Sequence, residues 1–250
     1  MEQSERKVSR RGYVPEDEKQ FSGEQLAHLQ KAAVEVAYLL DRGYATKMTT
    51  TFVGNHYMFS ERQRLALART VSPMERIRVR KAKEIPVLEA GESVETVYID
   101  GFNTIITLEV ALSGSPVFAC MDGTIRDLAG LRGTYRIIDK TEIAVGKLLL
   151  TLDEIGIQKA VIYLDAPVSN SGRLGTLIHE MAQKYHVRVE IKTINDVDRE
   201  LQTMSGVISS DAIILDHCVS WINLMPKMLR GMEQVWMVDI VAGINISWSG

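Results

Sequence analysis

From residue 93 onward, short β-branched apolar runs alternate with stretches of helical periodicity, and this alternation narrows the available folds more than any other feature. The runs are ETVYI (95–99), PVFACM (116–121), KAVIYL (159–164), VRVEIK (187–192), GVIS (206–209), AIIL (212–215) and VWMV (235–238). Helical spacing fills 102–113, 140–155, 171–185, 196–204 and 220–230. Strands that are apolar on both faces and separated by helices must be covered on both sides, which predicts an α/β domain with a mostly parallel sheet over residues 93–250.

Residues 1–92 read differently. The first 20 or so are charged and carry a proline, which predicts a flexible arm. Ser22 and Gln25 form a capping-box pattern ahead of Leu26, Leu29, Ala33, Val36, Ala37 and Leu40, and a second box, Ser60 with Gln63, opens a helix to about Val71. A small helical domain follows, and IPVLEAGESVE supplies a linker that puts the boundary at residue 92. Positive charge gathers at Arg62, Arg64, Arg69, Arg76, Arg78, Arg80, Lys81 and Lys83, with only Glu61 and Glu75 interleaved. The formal net charge of the whole chain is −3, so any RNA contact has to come from a local patch; segment 62–83 reads either as that patch, with residues such as Arg62, Arg64 and Arg69 on phosphates, or as a solvated helical face that packs its aliphatic stems.

Other classes drop out on composition. Cys120 and Cys218 are the only cysteines, far apart and in apolar surroundings, which suits buried thiols in a reducing compartment. No apolar run nears the ~20 residues of a membrane span, and the N-terminus has no apolar signal core, so a cytoplasmic protein without membrane contact is expected. A homo-oligomer is left open.

Acidic residues stand at the carboxyl ends of the strand runs: Asp100, Asp122, Asp165 and Asp211, with Asp196 and Asp198 a few positions after 187–192. Ligands of open parallel sheets bind beyond those ends. Carboxylates sharing a small volume repel one another unless a proton or cation intervenes, and hard oxygen donors select Mg²⁺ or Mn²⁺. Each Asp taken alone is equally at home as a helix cap or turn residue. In DGFN (100–103), Asp100 would be a ligand, Gly101 would allow a sharp turn, and Asn103 would orient the carboxylate or touch a phosphate.

YIDGFN (98–103), YLDAP (163–167) and VISSD (207–211), with Asp196 and Asp198 before the last, resemble the nuclease superfamily of PIN and NYN domains. The resemblance implies a metal set of Asp100, Asp196 or Asp198, and Asp211, catalytic roles for Asp100, Asp165, Asp198 and Asp211, and phosphodiester hydrolysis, RNA being the substrate. Residues 116–155 exceed what a minimal domain of that superfamily needs. RGY (42–44), FVGNHY (52–57) and SERQRLALAR (60–69) are similar to an uncharacterised prokaryotic family catalogued as a domain of unknown function, which implies no activity.

Competing patterns are weaker. ACMDGT (119–124) is similar to an aspartyl-phosphatase motif, but Cys120 occupies the nucleophile position. APVSNSGRLG (166–175) is a polar strand-to-helix turn whose Ser169, Asn170 and Arg173 would hold substrate phosphate, although it fits no nucleotide fingerprint. Of the histidines, His217 alone has a location near the acidic edge. The alternatives to a nuclease are a non-catalytic RNA-binding or complex-forming protein with a degenerate site, and a small-nucleotide phosphohydrolase.

Overall fold

The computed structural model describes residues 9–87, 90–130 and 133–244. Its N-terminal part is helical: α1 (Asp17–Gln20), α2 (Gly23–Leu40), α3 (Thr46–His56), α4 (Glu61–Thr70) and α5 (Met74–Ala82). The Ser60 box forms as expected, with Ser60 Oγ accepting from Gln63 N at 3.2 Å and Gln63 Oε1 accepting from Ser60 N at 3.1 Å. The Ser22 box does not. Ser22 Oγ donates to the carbonyl of Glu18 instead, and Gln25 Oε1 is taken by Gln63 Nε2.

The chain then runs through β1 (Glu84–Ile85), α6 (Ala90–Ser93), β2 (Thr96–Asp100), α7 (Gly101–Leu112), β3 (Val117–Ala119), β4 (Ile125–Asp127) and α8 (Thr141–Glu154). It continues through β5 (Lys159–Asp165), α9 (Ser171–Ala182), β6 (Arg188–Ile194), α10 (Val197–Leu201), β7 (Val207–Ile208), α11 (Ala212–His217), β8 (Trp221–Ile222), α12 (Met225–Leu229) and β9 (Met237–Val238). Six strands form one sheet, β1-β8-β7-β2-β5-β6, every neighbouring pair parallel.

Alternation along β2 and β5 builds a core on each face. Val97, Ile99, Ala160, Ile162 and Leu164 pack against α7, α8 and α9, while Val161 and Tyr163 pack against Val197 and Leu201 of α10 and Ile214 and Leu215 of α11. From β2 the chain builds outward through β5 and β6, then returns to the other side of β2 as β7 and β8. The strand order therefore reverses between β2 and β7, the place where open sheets of this kind leave a crevice.

Several expectations are corrected. AIIL at 212–215 is helix, because Asp211 Oδ1 accepts from Ile213 N at 2.7 Å and Ile214 N at 3.3 Å and so caps α11; an apolar run this short carries no period that separates strand from helix. The stretch 220–230 begins with β8 before α12. The runs at 116–121 and 235–238 do not join the main sheet but form β4-β3-β9, with β3 antiparallel to β4 and parallel to β9. Of the expected flexible arm, residues 1–8 lie outside the described residues, and the remainder is anchored: Arg11 Nε bonds Glu109 Oε2 at 2.8 Å, and Asp17 is fully buried against Arg62.

The core does not stop at residue 92. Phe118, Met121, Leu128, Val238 and Ile240 share one cluster with Leu29, Val36 and Leu67, and β1 is an edge strand of the main sheet. Among the described residues no helix is long and apolar enough to cross a membrane.

Candidate functional site

Asp100 ends β2 and caps α7, so the turn reading and the site reading of DGFN meet in one side chain. Its Oδ1 accepts from Asn103 N at 3.3 Å, and its Oδ2 accepts from Ser209 Oγ at 2.9 Å. The residue is 6% exposed. Burial pushes its carboxyl up to about 7 against the pull of those two hydrogen bonds, and the charges of Asp198 and Asp211 add to the rise.

Gly101 earns its place differently from expectation. Its backbone needs no left-handed turn; a Cβ there would stand 2.7 Å from the carbonyl oxygen of Tyr163 and 2.7 Å from Leu164 Cδ2. Close approach of α7 to β5 thus excludes a side chain, and this approach sets where Asp100 points.

The SSD turn after β7 locks onto the same helix. Asn103 Oδ1 accepts from Ser210 N and Ser210 Oγ, both at 2.9 Å, while Ser209 Oγ accepts from Asp211 N at 3.0 Å. Asn103 therefore orients the turn carrying Asp211. Arg126 Nε donates to the carbonyl of Ser210 at 2.7 Å and holds the turn from the other side.

Asp100, Asp165, Asp198 and Asp211 line one cleft of about 300 Å³, together with Asn103, Asp127 and Arg69. Asp198, although exposed, is raised by partial desolvation of its carboxyl and then by Asp211, Asp165 and Asp196; the half-buried Asp165 is raised by desolvation and by Asp196. Among the described residues no basic group offsets either of those shifts. Among the described residues, no three His, Cys, Asp or Glu side chains stand close enough to hold a metal ion together.

Other predicted residues fall elsewhere. Asp196 is exposed and caps α10 by accepting from Arg199 N at 3.2 Å, leaving Asp198 as the helical acid in the cleft. Ser169 and Asn170 hold the preceding loop: Ser169 Oγ accepts from Tyr135 N at 3.0 Å and Asn170 Nδ2 donates to the Tyr135 carbonyl at 2.7 Å. Arg173 is exposed on the first turn of α9. Arg62 grips Asp17 and the Gly12 carbonyl, and Arg64 donates to the Phe59 carbonyl at 2.9 Å and to Asn55 Oδ1 at 2.9 Å, so neither guanidinium reaches the acids. His217 is exposed and bonds its own helix through Nδ1 and the Ile213 carbonyl.

Asp122, expected at the acidic edge, is a buried counter-ion in the β3–β4 turn. Its Oδ2 takes Arg80 Nη1 at 2.7 Å and Arg126 Nη2 at 2.6 Å, and its Oδ1 takes Thr124 Oγ1 at 2.6 Å. ACMDGT is thus a hairpin, with Gly123 at φ 82° and Gly123 N donating to the Cys120 carbonyl at 2.9 Å. Burial opposes ionisation of Asp122, but Arg126, Thr124 and Arg80 outweigh it and hold the carboxyl down at about 2.

Asp127 in the cleft wall and Arg126, which holds the Ser210 carbonyl beside it, are residues that sequence reading missed. They sit on a three-residue strand, too short to show an alternating pattern.

Residues 91–227 match a family model described as "Domain of unknown function (DUF5616)", and residues 28–83 match one described as "Protein of unknown function (DUF434)". The uncharacterized protein MJ0935 of Methanocaldococcus jannaschii is 35% identical over 189 residues, which is 75% of this chain and 88% of that protein. No solved structure matches the chain.

Proposed function

The chain belongs to the DUF5616 family, whose description assigns no activity, and from its residues we propose a nuclease that uses Mg²⁺ or Mn²⁺ and acts on RNA. One observation carries the reading: Asp100, buried at the point where the strand order reverses, shares a cleft with Asp165, Asp198 and Asp211, and its carboxyl is raised to about 7 by burial and by two of them. Carboxylates held together without a balancing cation raise one another's proton affinity, and a divalent ion relieves the same repulsion.

The donor set fits such an ion. It consists of carboxylate oxygens, the ligands of hard cations. Mg²⁺ keeps several waters and takes only one or two carboxylates, so Asp100 with Asp198 or Asp211 would suffice where, among the described residues, no three acids converge. When bound, the ion supplies an activated water and stabilises the leaving oxygen. The chain's own groups would then position the substrate. Ser209 keeps Asp100 oriented, Asn103 and Arg126 fix the Asp211 turn, and Arg69 offers donors to a phosphate oxygen. The DGFN and SSD motifs, similar to those of PIN and NYN nucleases, support the same chemistry.

A non-catalytic RNA-binding protein with this fold is favoured by one observation, the lack among the described residues of a three-acid group able to hold an ion. Calorimetric titration with Mn²⁺ separates the two. Binding in the wild type that is lost in Asp100→Asn and Asp211→Asn, with RNA cleavage lost in parallel and both variants folded, is the expected outcome. No Mn²⁺ binding in the wild type, even with RNA present, would sink the nuclease reading.

A further inference from the structure

Much of the basic segment expected to carry RNA is engaged by the protein itself, although Arg78 is exposed and Arg76 reaches Asp216 only at 3.7 Å, away from the cleft walls. Arg62 lies on Asp17, Arg80 on Asp122 and Asp216, Lys81 on Glu84, and Lys83 on the carbonyls of Asp216 and Cys218. Arg69 is different. Among the described residues its side chain makes one hydrogen bond, from Nη1 to the Asp127 carbonyl, whereas a guanidinium carries five N–H donors. It projects from α4 of the helical part into the wall of the carboxylate cleft.

Arg69 also lines a second cavity of about 300 Å³ that adjoins the first, the two sharing Arg69, Asn103, Asp127 and Asp211. Beyond the shared wall the chemistry changes. The first cavity adds Asp100, Asp165 and Asp198; the second adds Arg126, Ser72, Ser210 and Ile213, and no further acid. Arg126 is fixed there by Ser210 and Asp122, which leaves Arg69 as the adaptable donor.

We propose that this second cavity is a phosphate subsite for the residue next to the scissile linkage, anchored by Arg69, so that the substrate is a polynucleotide strand and not a free nucleotide. The proposal rests on the hydrolytic reading of the adjoining cleft. An arginine fork matches the oxygens of a phosphate, and a strand long enough to enter both cavities places a second phosphate beside Arg69 and Ser210, which a mononucleotide filling the first cavity alone does not. The subsite draws Arg69 and Ser72 from the helical part and Ser210 from the α/β part, which gives the N-terminal helices a role at the site.

The test is fluorescence anisotropy of a short 2′-O-methyl RNA oligonucleotide with the full chain in Ca²⁺ buffer over a salt series. Arg69→Ala is expected to weaken binding about tenfold and to reduce the slope of log affinity against log salt by about one, whereas Arg69→Lys keeps the slope. Ile213→Glu, at an exposed position that lines the second cavity and not the first, is expected to weaken oligonucleotide binding without touching the core, which covers the case of an Arg69→Ala protein that does not fold. Affinity for adenosine monophosphate should be unchanged in Ile213→Glu, because Ile213 does not line the first cavity. Oligonucleotide affinity and salt slope at wild-type values in both Arg69→Ala and Ile213→Glu would overturn the subsite, as would a mononucleotide bound as tightly as the oligonucleotide. Mn²⁺ calorimetry on the same proteins keeps the two readings apart. Metal binding retained while oligonucleotide binding falls supports the subsite, whereas no metal binding in the wild type with the Arg69 effect intact removes the nuclease reading alone.

Discussion

Two groups of acids follow strands in this protein, and they meet opposite fates. At the cleft, Asp100, Asp165, Asp198 and Asp211 face one another, and the resolved shifts there are upward. Under the β3–β4 turn, Asp122 is 1% exposed yet held ionised between Arg80 and Arg126, and Arg80 continues to Asp216 at 2.7 Å. The difference is the counter-charge. A buried acid with arginines bonded to it is part of the scaffold, whereas the cleft acids, whose carboxylates accept no arginine side-chain hydrogen bond among the described residues, are poised to take a cation or a proton.

The sharpest way to break the comparison is to remove one acid from each group. Asp122→Ala removes the carboxylate shared by two buried guanidinium groups, leaving Arg80, among the described residues, ion-paired to Asp216 alone and Arg126 to no carboxylate, and should cost about 3–5 kcal/mol in denaturant unfolding. Asp100→Asn relieves repulsion and should unfold at or above the wild-type midpoint while losing Mn²⁺ binding. Equal destabilisation by the two would erase the distinction. Gly101→Ala forces a Cβ against the Tyr163 carbonyl and should cost about 1–3 kcal/mol, with Mn²⁺ affinity falling as Asp100 is displaced.

Acidity separates the groups by sign. The folded-state value of Asp122 is depressed, so its stabilisation is present above the ordinary carboxylate value and is lost as pH falls from about 4 towards 2. For Asp100 the folded value is raised, so its contribution is full below about 4 and declines as pH rises through about 7. Unfolding free energies measured across pH in EDTA should therefore lose their acid limb in Asp122→Asn and their neutral-side decline in Asp100→Asn. The smallest effect belongs to Arg64, whose contacts are carbonyls and Asn55: Arg64→Ala should change stability by about 1 kcal/mol or less and leave oligonucleotide anisotropy unaltered.

Much of this was legible in residues alone because the signals are local. Strand–helix alternation, the Ser60–Gln63 box, and acids at the ends of β2, β5 and β7 depend on neighbours a few positions away, and they specified the parallel sheet and the edge where Asp100, Asp165 and Asp211 stand. What no local pattern encodes is the partner that arrives from a distance. Asp122 differs from Asp100 only through Arg80, 42 residues earlier, and through Arg126 across a hairpin. Arg69 differs from Arg62 because Asp17, 45 residues earlier, claims Arg62, while α4 carries Arg69 to the cleft wall. Even 212–215 became helix only once Asp211 capped it, and the two-residue strands β1 and β8 have no period to read. Tertiary structure decided those cases because charge and burial are properties of a neighbourhood, and only folding assembles it.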